Sequence, residues 1–473
     1  MPHTVEKIGG TSMSRLHELR DTLFLEGGTP RYGRIFVVSA FGGITNLLLE
    51  HKKSGEAGVY AAFANADDGH GWHDALSRAS AAMVEAHERV LENAGDIAQA
   101  TTFVQDRIEG ARNCLIDLQR LCSYGHFRLN THLMQIRELL SGLGEAHSAY
   151  VATLMLQRAG VNARFVDLSG WREEGDLSLD ARIQGAMEGI DPDSEMPIVT
   201  GYAQCREGLM REYDRGYSEV TFSQLAALTG AAEAIIHKEF HLSSADPKLV
   251  GEDAVRTLGH TNYDVADQMA NLGMEAIHPS AAKALRQANV PLRVTNAFEP
   301  EHPGTVIDDQ PADKAAVEMV TGLDIIALEL FEQDMVGVKG YDAAILDVLT
   351  RHNVRIVSKV SNANTITHYV DASLKSMRRV ESDLAAKFPQ AEITTRKLAL
   401  VSVLGRDLSG LHVLLNGLQA LEAETLTPLG ATQGPRNVDT LFILNRSDRD
   451  KAIAALHRAF FDRAVAVPRD IAA

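Results

Sequence analysis

Two glycine turns near the start of the chain carry residue types that suit phosphate binding. The first, 7–12, reads Lys-Ile-Gly-Gly-Thr-Ser after a short strand candidate, and the second, 37–46, reads VVSAFGGITN after a stronger one. Glycines that follow a strand let backbone N–H groups approach an anion, and the next helix adds its positive end. Because parallel strands bring their carboxyl ends to one edge of a sheet, the two turns together predict a polyphosphate site.

Each turn by itself is weak evidence, since any tight turn favours glycine. The chain contains no GxxxxGK[ST] sequence, so the predicted site is not of the P-loop type. Lys7 supplies a full positive charge at the first turn, and Thr11 and Ser12 suit either helix capping or contact with phosphate oxygens.

The predicted elements follow the order of an α/β protein. Apolar runs predict strands at 3–8, 34–40, 161–168, 196–200, 232–237 and 290–295. A polar-rich helical stretch covers 55–160, and further helices are predicted at 218–230, 262–274 and 279–289. The segment 299–313 is rich in proline, glycine and acidic residues, which indicates a domain boundary.

Beyond that boundary, a strand–helix–strand–strand–helix unit occurs twice. The first copy is predicted at 324–330, 341–352, 354–360, 365–370 and 373–388, and the second at 397–404, 410–421, 423–428, 438–445 and 448–461. Tandem ferredoxin-like modules of this kind are typical of small-molecule sensing. Two packing domains without a ligand are the alternative.

Composition narrows the function classes. The 473 residues carry a formal net charge of -17, which argues against nucleic acid and anionic membranes as partners but leaves room for a local basic pocket. The three cysteines show no metal-binding spacing, and no apolar stretch is long enough to cross a bilayer. The N-terminal residues lack the apolar core of a signal peptide, so a cytoplasmic protein is expected.

Six segments resemble, in the right order, the motifs of the aspartate kinases. They are the two glycine turns, Gly144-Glu145 opening a predicted helix at 146–156, Asp-Arg-Gly-Tyr-Ser-Glu at 214–219, Ser-Ala-Asp-Pro-Lys at 244–248, and the segment 277–307. The tandem C-terminal modules are similar to the two ACT domains of that family. The resemblance therefore spans the whole chain.

The resemblance implies an α/β protein with the amino-acid kinase fold, a mostly parallel central sheet between helices. The catalytic domain would cover 1–310, with a helical insertion at 55–140. Tandem ACT regulatory domains would cover 320–473, the first at about 320–396 and the second at about 397–465. It implies ATP-dependent phosphorylation of the L-aspartate side chain to 4-phospho-L-aspartate, with Mg²⁺. It also implies a homodimer or homotetramer formed through the ACT domains.

The resemblance assigns roles to individual residues. Lys7, Ser39 and Arg215 would be catalytic, and Thr45, Glu145, Arg215, Ser218 and Glu219 would bind aspartate. The nucleotide would contact Lys7, Gly9, Gly10, Thr11, Ser12, Gly42, Gly43, His237, Lys238, Asp246 and Lys248. An amino-acid effector would contact Asp334, Met335, Gly337, Gly340, Asn362 and Asn364, although turn chemistry alone explains these residues equally well. No protein ligand is expected for a metal, because Mg²⁺ would sit mostly on phosphate oxygens and water.

The chemistry of this reaction suits the residues. A carboxylate is already a nucleophile at neutral pH, so no general base is required. The obstacle is repulsion between the aspartate carboxylate and ATP, which positive charge, Mg²⁺ and aligned N–H groups offset. Arg215 suits a bidentate grip on the α-carboxylate, and Glu145 suits the α-ammonium group.

The sequence departs from the usual family pattern mainly on the nucleotide side. The departures are Tyr217 and Glu219 in the 214–219 motif, the stretch 237–241, Lys248, and Glu275 at a place where lysine is usual. In these respects the chain resembles the aspartate kinases of ectoine biosynthesis. Two alternatives remain: an amino-acid-binding regulatory protein with a degenerate kinase domain, and a kinase for glutamate, acetylglutamate, carbamate or a nucleotide.

Overall fold

The computed structural model describes residues 2–25, 30–52, 54–65, 71–173, 175–213, 216–274 and 277–462. Its strands are β1 (Thr4–Ile8), β2 (Arg34–Val38), β3 (Ala163–Val166), β4 (Met196–Thr200), β5 (Glu233–Lys238), β6 (His260–Asn262), β7 (Leu292–Asn296), β8 (Thr305–Asp308), β9 (Met319–Phe331), β10 (Arg355–Ser361), β11 (Thr365–Asp371), β12 (Glu392–Leu404), β13 (Gly430–Gln433) and β14 (Asp439–Asn445). Its α-helices are α1 (Gly10–Met13), α2 (Leu16–Leu19), α3 (Ile44–Leu48), α4 (Val59–Ala64), α5 (Gly71–Glu88), α6 (Ala94–Ser123), α7 (Leu133–Arg158), α8 (Leu179–Met187), α9 (Leu209–Tyr213), α10 (Tyr217–Thr229), α11 (Pro247–Val250), α12 (Tyr263–Asn271), α13 (Pro279–Ala288), α14 (Tyr341–Arg351), α15 (Leu374–Lys387), α16 (Val413–Ala423) and α17 (Arg449–His457). Single 3-10 turns lie at Leu129–Thr131, Gln333–Met335 and Arg446–Asp448, and π-helical turns at Arg20–Phe24 and Arg458–Asp462.

The chain forms two compact units. The first, called the kinase unit, comprises Met1–Leu242 and Ile277–Asp308, and the second, called the C-terminal unit, comprises Ser243–Ala276 and Asp309–Ala473. The residues 243–276, which the sequence analysis places in the catalytic domain, thus make their contacts with the C-terminal unit. The proposed domain limits at 310, 320 and 396 stay predictions.

Seven strands of the kinase unit form one sheet in the order β3-β4-β2-β1-β5-β7-β8. All neighbours in this row are parallel except β8, which runs antiparallel to β7. Strand β1 is central, so Lys7 lies beside Val37 of β2 and Ile236 of β5. The predicted mostly parallel sheet between helices is confirmed.

The helices of the kinase unit agree with the sequence prediction at most ends. Helix α10 ends at Gly230, which has a left-handed φ of 65°, as the glycine predicts. Helix α7 packs on β3 and β4, whereas α10 packs on β1 and β2. The prediction that Gly144 and Glu145 open a helix is wrong, because both lie in the middle of α7. Apolar residues at helical spacing before them, among them Ile136, Leu140 and Leu143, are buried and extend the helix toward its N-terminus.

A buried ionic network lies on the sheet face opposite Lys7, since neighbouring residues of a strand point to opposite faces. The Arg34 guanidinium donates to both Glu6 carboxylate oxygens, at 2.6 and 2.8 Å, and His237 Nε2 lies 2.7 Å from Glu6 Oε2. All three residues are at most 6% exposed. Burial raises the pKa of Glu6, but Arg34 and His237 outweigh burial and hold that pKa well below its usual range. The network therefore ties β1, β2 and β5 together at the centre of the sheet.

The C-terminal unit contains a six-stranded antiparallel sheet in the order β10-β11-β9-β12-β14-β13. Strands β9 and β12 have 13 residues each and run side by side along their whole length. One half of the pair packs with α14 and α15 in a first hydrophobic core, and the other half with α16 and α17 in a second. The two predicted ferredoxin-like modules thus share two long strands, and the second antiparallel sheet confirms the expected ACT architecture.

One predicted strand of the second module, 423–428, is wrong. Helix α16 continues to Ala423, and the edge strand β13 begins only at Gly430. The backbone N–H of Leu426 donates to the carbonyl of Leu421 at 2.9 Å, and Leu426 is 7% exposed against the second core. The apolar residues of this segment therefore close the helix C-terminus instead of pairing as a strand. In the described part of the chain, no helix combines the length and apolar character needed to span a membrane.

We expect the Arg34→Met variant to lose about 3–5 kcal/mol of unfolding free energy at pH 7, because Glu6 would keep a buried charge without its main partner. The Glu6 pKa is depressed in the folded state, so the stability that the pair contributes is present above the ordinary glutamate pKa and is lost as pH falls below it. The deficit of the variant should therefore shrink at pH 4. Urea unfolding followed by tryptophan fluorescence measures this, since Trp72 and Trp171 both lie in the kinase unit.

Arg89→Met is the matched control, because Arg89 pairs with Glu85 on the exposed surface of the same unit. Its unfolding free energy should change by less than about 1 kcal/mol. Equal losses in the two variants would contradict a stabilising role for the buried network.

Candidate active site

Lys7 lies near the carboxyl end of β1 and is 9% exposed. Its Nζ donates to Glu219 Oε1 at 3.3 Å, and Glu219 Oε2 accepts the backbone N–H of His278 just before α13. Burial raises the pKa of Glu219, but the positive charges of Lys7 and Lys238 outweigh burial and lower that pKa overall. An ionised Glu219 therefore holds the Lys7 ammonium group beside the first glycine turn.

The two glycine turns touch each other. A Cβ on Gly10 would lie 2.7 Å from the carbonyl oxygen of Ala40, so only glycine allows this approach. The backbone N–H of Gly42 donates to the Ser14 hydroxyl at 2.8 Å, and Gly43 precedes α3 with a φ of 87°. The structure thus brings together the turns that the sequence analysis assigns to phosphate.

The other residues predicted at the first turn have separate positions. Gly9 precedes α1, and Thr11 is exposed on that helix. Ser12 is fully buried, and its hydroxyl donates to Glu239 Oε1 at 2.5 Å. This contact gives a partner to Glu239, one of the residues at which the chain departs from the family pattern.

Glu145 lies on α7 and is 2% exposed. Burial raises its pKa to about 8, although Lys7 and hydrogen bonds from Tyr217 and from the backbone of Tyr202 and Ala40 act in the opposite direction. Its Oε2 atom has no hydrogen-bond partner in the described part of the chain. A buried carboxylate of this kind is costly unless a cation arrives to pair with it.

The space around Glu145 depends on Gly201, which directly follows β4. A Cβ on Gly201 would lie 2.9 Å from Glu145 Oε2 and 2.7 Å from Ser218 Cβ. The Ser218 hydroxyl lies 3.2 Å from the Ser39 hydroxyl, and Ser39 follows β2. Lys7, Ser39, Glu145, Ser218 and Glu219 therefore share one site at the carboxyl ends of β1, β2 and β4.

The structure gives less information on Thr45 and Arg215, the two other residues predicted to bind aspartate. Thr45 is half-buried on α3 directly after the second glycine turn. Arg215, like Asp214, lies outside the described residues. Its predicted grip on an α-carboxylate stays a prediction.

The predicted nucleotide residues divide between two faces and two units. Lys238 contributes to the low pKa of Glu219 and lies on the Lys7 face, whereas His237 points to the opposite face and bonds Glu6. Asp246 and Lys248 belong to the C-terminal unit. There the Asp246 carboxylate accepts the backbone N–H of Lys248 at 2.9 Å and caps α11, and both side chains are exposed.

The predicted effector residues lie in two adjacent turns of the first module. Asp334 and Met335 belong to the 3-10 turn after β9, and Met335 is 6% exposed in the first core. Gly337 and Gly340 follow with φ values of 76° and 102°. The Asn362 side chain accepts the N–H groups of Asn364 and Thr365, and the Asn364 carbonyl accepts the N–H of Glu332. These contacts explain the turn chemistry, and effector binding stays a prediction.

The sequence analysis missed several residues that support the site. The Ser148 hydroxyl donates to the Ser39 carbonyl at 2.8 Å, one helical turn beyond Glu145. Tyr217, one of the departures from the family pattern, donates a side-chain hydrogen bond to Glu145. The spacing of Glu145 and Ser148 on one helix was an available signal, whereas the close approach at Gly201 depends on long-range packing.

Comparison with known proteins identifies the family. The family model for the amino acid kinase family matches residues 3–296. The chain is 49% identical over 464 residues to aspartate kinase Ask_Ect of Stutzerimonas stutzeri, covering 97% of this chain and 98% of that protein. It is 23% identical to aspartokinase 1, chloroplastic, of Arabidopsis thaliana, covering 97% and 80% of the two chains.

Solved structures show the same fold. Escherichia coli aspartokinase III in complex with aspartate and ADP is similar with a TM-score of 0.71 at 19% identity, over 97% of this chain and 100% of that one. The complex of that enzyme with lysine and aspartate gives a TM-score of 0.71 at 20% identity, over 97% and 99% of the two chains. The chain belongs to the amino acid kinase family and, within it, to the aspartate kinases.

Proposed function

We propose that the protein transfers the γ-phosphoryl group of ATP to the side-chain carboxylate of L-aspartate, giving 4-phospho-L-aspartate and ADP. The observation that carries this proposal is the buried Glu145 carboxylate, whose Oε2 atom lacks a partner among the described residues while Lys7 lies nearby. Such a site suits a ligand with an ammonium group at one end and an anionic group at the other. The 49% identity to an aspartate kinase over nearly the whole chain supports the choice of substrate.

The reaction needs no proton transfer. A carboxylate oxygen of aspartate forms a bond to the γ-phosphorus, the bond from that phosphorus to the bridging β,γ-oxygen breaks, and its electron pair leaves on ADP. Catalysis then consists of positioning and of neutralising negative charge. The Lys7 ammonium group, fixed by Glu219, is placed to do this at the transferring group.

The remaining residues bind and orient the substrates. Glu145 pairs with the α-ammonium group of aspartate, and the Ser39 and Ser218 hydroxyls, 3.2 Å apart, offer hydrogen bonds to carboxylate oxygens. Arg215 is proposed to hold the α-carboxylate, on its sequence position. The N–H groups of the two glycine turns and Lys238 are proposed to contact the phosphates.

ATP is proposed to bind together with Mg²⁺, which neutralises phosphate charge. The described residues contain no group of three or more metal-ligating side chains, so no protein ligand is assigned to the ion. An ion held chiefly by phosphate oxygens and water has little need of one.

The setting of the enzyme is also a proposal. We infer a cytoplasmic enzyme that acts as a homodimer or homotetramer through its C-terminal modules. The product would enter the aspartate-family pathway, and the resemblance to the ectoine-type aspartate kinases favours ectoine synthesis as one use of it.

A hydroxamate assay tests the proposed reaction directly, because hydroxylamine traps an acyl phosphate. With ATP, Mg²⁺ and L-aspartate, the purified protein should form aspartyl hydroxamate, and Arg215→Ala should lose most of that signal. Lys7→Met should lower kcat roughly 10²–10³-fold, the effect of removing one preorganised donor from a developing charge. Lys387→Met changes an exposed lysine on α15 and should leave the rate unchanged.

No hydroxamate in the wild type, with aspartate still bound, would favour the regulatory protein with a degenerate kinase domain. An equal hydroxamate signal with glutamate or another acid would instead show that the enzyme phosphorylates a different substrate of the amino-acid kinase family.

The pH dependence of aspartate binding tests the role of Glu145. Its pKa of about 8 means that the free enzyme holds a neutral acid at pH 6–7, which must ionise to pair with an ammonium group. The KM for aspartate should therefore fall by up to about tenfold per pH unit as pH rises, and level off near pH 8. Steady-state kinetics at saturating ATP measures it.

Glu145→Gln should remove this pH dependence and raise the KM by about 30-fold or more, since a buried charge pair is worth about 2–5 kcal/mol. Glu85→Gln, an exposed glutamate on α5, is the control and should behave as the wild type. A flat pH profile in the wild type would contradict the assignment of Glu145 to the ammonium group.

A further inference from the structure

A cavity of about 670 Å³ lies within the kinase unit, on the sheet face opposite Lys7. Its wall on the side of the sheet includes Glu6 of β1 and Ile235 and His237 of β5. Because side chains alternate along a strand, these residues lie behind the positions that carry Lys7 and Lys238 on the other face. The volume is in the usual range for small-molecule sites.

The remaining walls of this cavity are largely apolar. Leu23 and Tyr32 line one part of it, and Pro300 and Pro303, from the loop between β7 and β8, line another. A ligand that covers such side chains gains free energy in proportion to the apolar area that it removes from water. The walls therefore favour a ligand with an apolar body.

The acidic and arginine side chains that the structure describes in the cavity wall all have partners within the protein. Arg34 and Glu6 form the ion pair of the buried network. Arg293 pairs with Glu233 at 2.7 Å, and Asp193 also has an interaction partner. An ionic ligand would meet no unpaired counter-charge among these groups, so burying its charge would be costly. The ligand that fits is uncharged.

His237 leaves one polar atom for such a ligand. Its Nε2 lies 2.7 Å from Glu6 Oε2, and because an ionised carboxylate only accepts hydrogen bonds, Nε2 carries a proton. The other ring nitrogen, Nδ1, has no hydrogen-bond partner among the described residues, and the residue is 4% exposed. In the neutral imidazole Nδ1 is therefore an unpaired buried acceptor, whose cost a ligand N–H or O–H group would remove.

We propose that this cavity binds an uncharged, largely apolar small molecule that donates one hydrogen bond, from an N–H or O–H group, to His237 Nδ1. The site is separate from the candidate active site, since Glu6 and His237 lie on the sheet face opposite Lys7. A ligand there would contact β1 and β5, the strands that carry Lys7 and Lys238. The inference goes beyond the proposed reaction and does not depend on it.

Indole and benzofuran test the proposal in the wild-type, full-length protein. The two probes have nearly the same size and shape, but only indole carries an N–H donor. We expect calorimetric titration to show one indole bound per chain, and benzofuran to bind about 3–10-fold more weakly, the effect of one hydrogen bond to a buried acceptor. His237→Leu should remove this preference, so that the two probes bind with equal affinity.

Ile235→Trp should abolish indole binding, because the larger side chain fills the cavity from the side of the sheet. Ile116→Trp is the matched control, since it adds the same ring at a residue of α6 that is 40% exposed, and it should bind indole as the wild type does. The comparison of the two probes in the wild type needs no variant, so it decides the matter even where a substitution prevents folding.

A wild type that binds no indole would overturn the proposal. Unchanged binding in Ile235→Trp would also overturn it, because the probe would then lie elsewhere, and so would equal affinity of the wild type for indole and benzofuran. The titrations contain neither ATP nor aspartate, so their outcome is separate from that of the hydroxamate assay. A protein that forms hydroxamate but binds no indole would keep the proposed function and lose this site, and the reverse result would keep the site alone.

Discussion

The site depends on a carboxylate that the fold removes from water. Glu145 is 2% exposed, and burial outweighs the nearby Lys7 charge and raises its pKa to about 8. Burial favours the neutral acid in the unliganded protein, and a cation that binds beside the group favours its ionised form. Gly201 leaves room beside the Glu145 carboxylate, because a Cβ at that position would contact it. The hydrogen bond from the Ser148 hydroxyl to the Ser39 carbonyl fixes the end of β2 next to the site. Glu219 pairs with Lys7, so the Lys7 charge is held near Glu145 without forming an ion pair with it. Unlike the Glu145 carboxylate, Glu219 has its pKa lowered, so two neighbouring acids are held in opposite states by their surroundings.

The two faces of the central sheet have separate tasks. On one face Lys7 and Lys238 lie near Glu219, and on the other Glu6, Arg34 and His237 form a hydrogen-bonded network. Since side chains alternate along a strand, a single residue step on β1 separates a group that is fully paired from one that is left to meet a substrate. In the C-terminal unit, the two long strands β9 and β12 are shared by both modules.

Much of this could be predicted from the sequence, and the failures have physical causes. Continuous apolar runs located β2 and β4, and the glycine turns marked the edge of the sheet where polar residues meet. The start of a helix at Gly144 was inferred from a motif match, although the apolar residues Ile136, Leu140 and Leu143 before it already recur at helical spacing. His237 was assigned to the nucleotide from a motif position, although its strand register turns it toward Glu6. The place of Ser244–Lys248 in the C-terminal unit follows from contacts more than 200 residues apart, which no local pattern records.

The most direct test of the central claim is the number of protons released when L-aspartate binds. Calorimetric titrations at pH 7 in buffers of different ionisation enthalpy give that number without any turnover. A pKa of about 8 for Glu145 predicts release of about 0.9 proton per aspartate bound, because the acid is mostly protonated before binding and ionised after it. Glu145→Gln should bind aspartate weakly and release none. Tight binding without proton release, or the same release from the glutamine variant, would show that Glu145 is not the group that receives the ammonium.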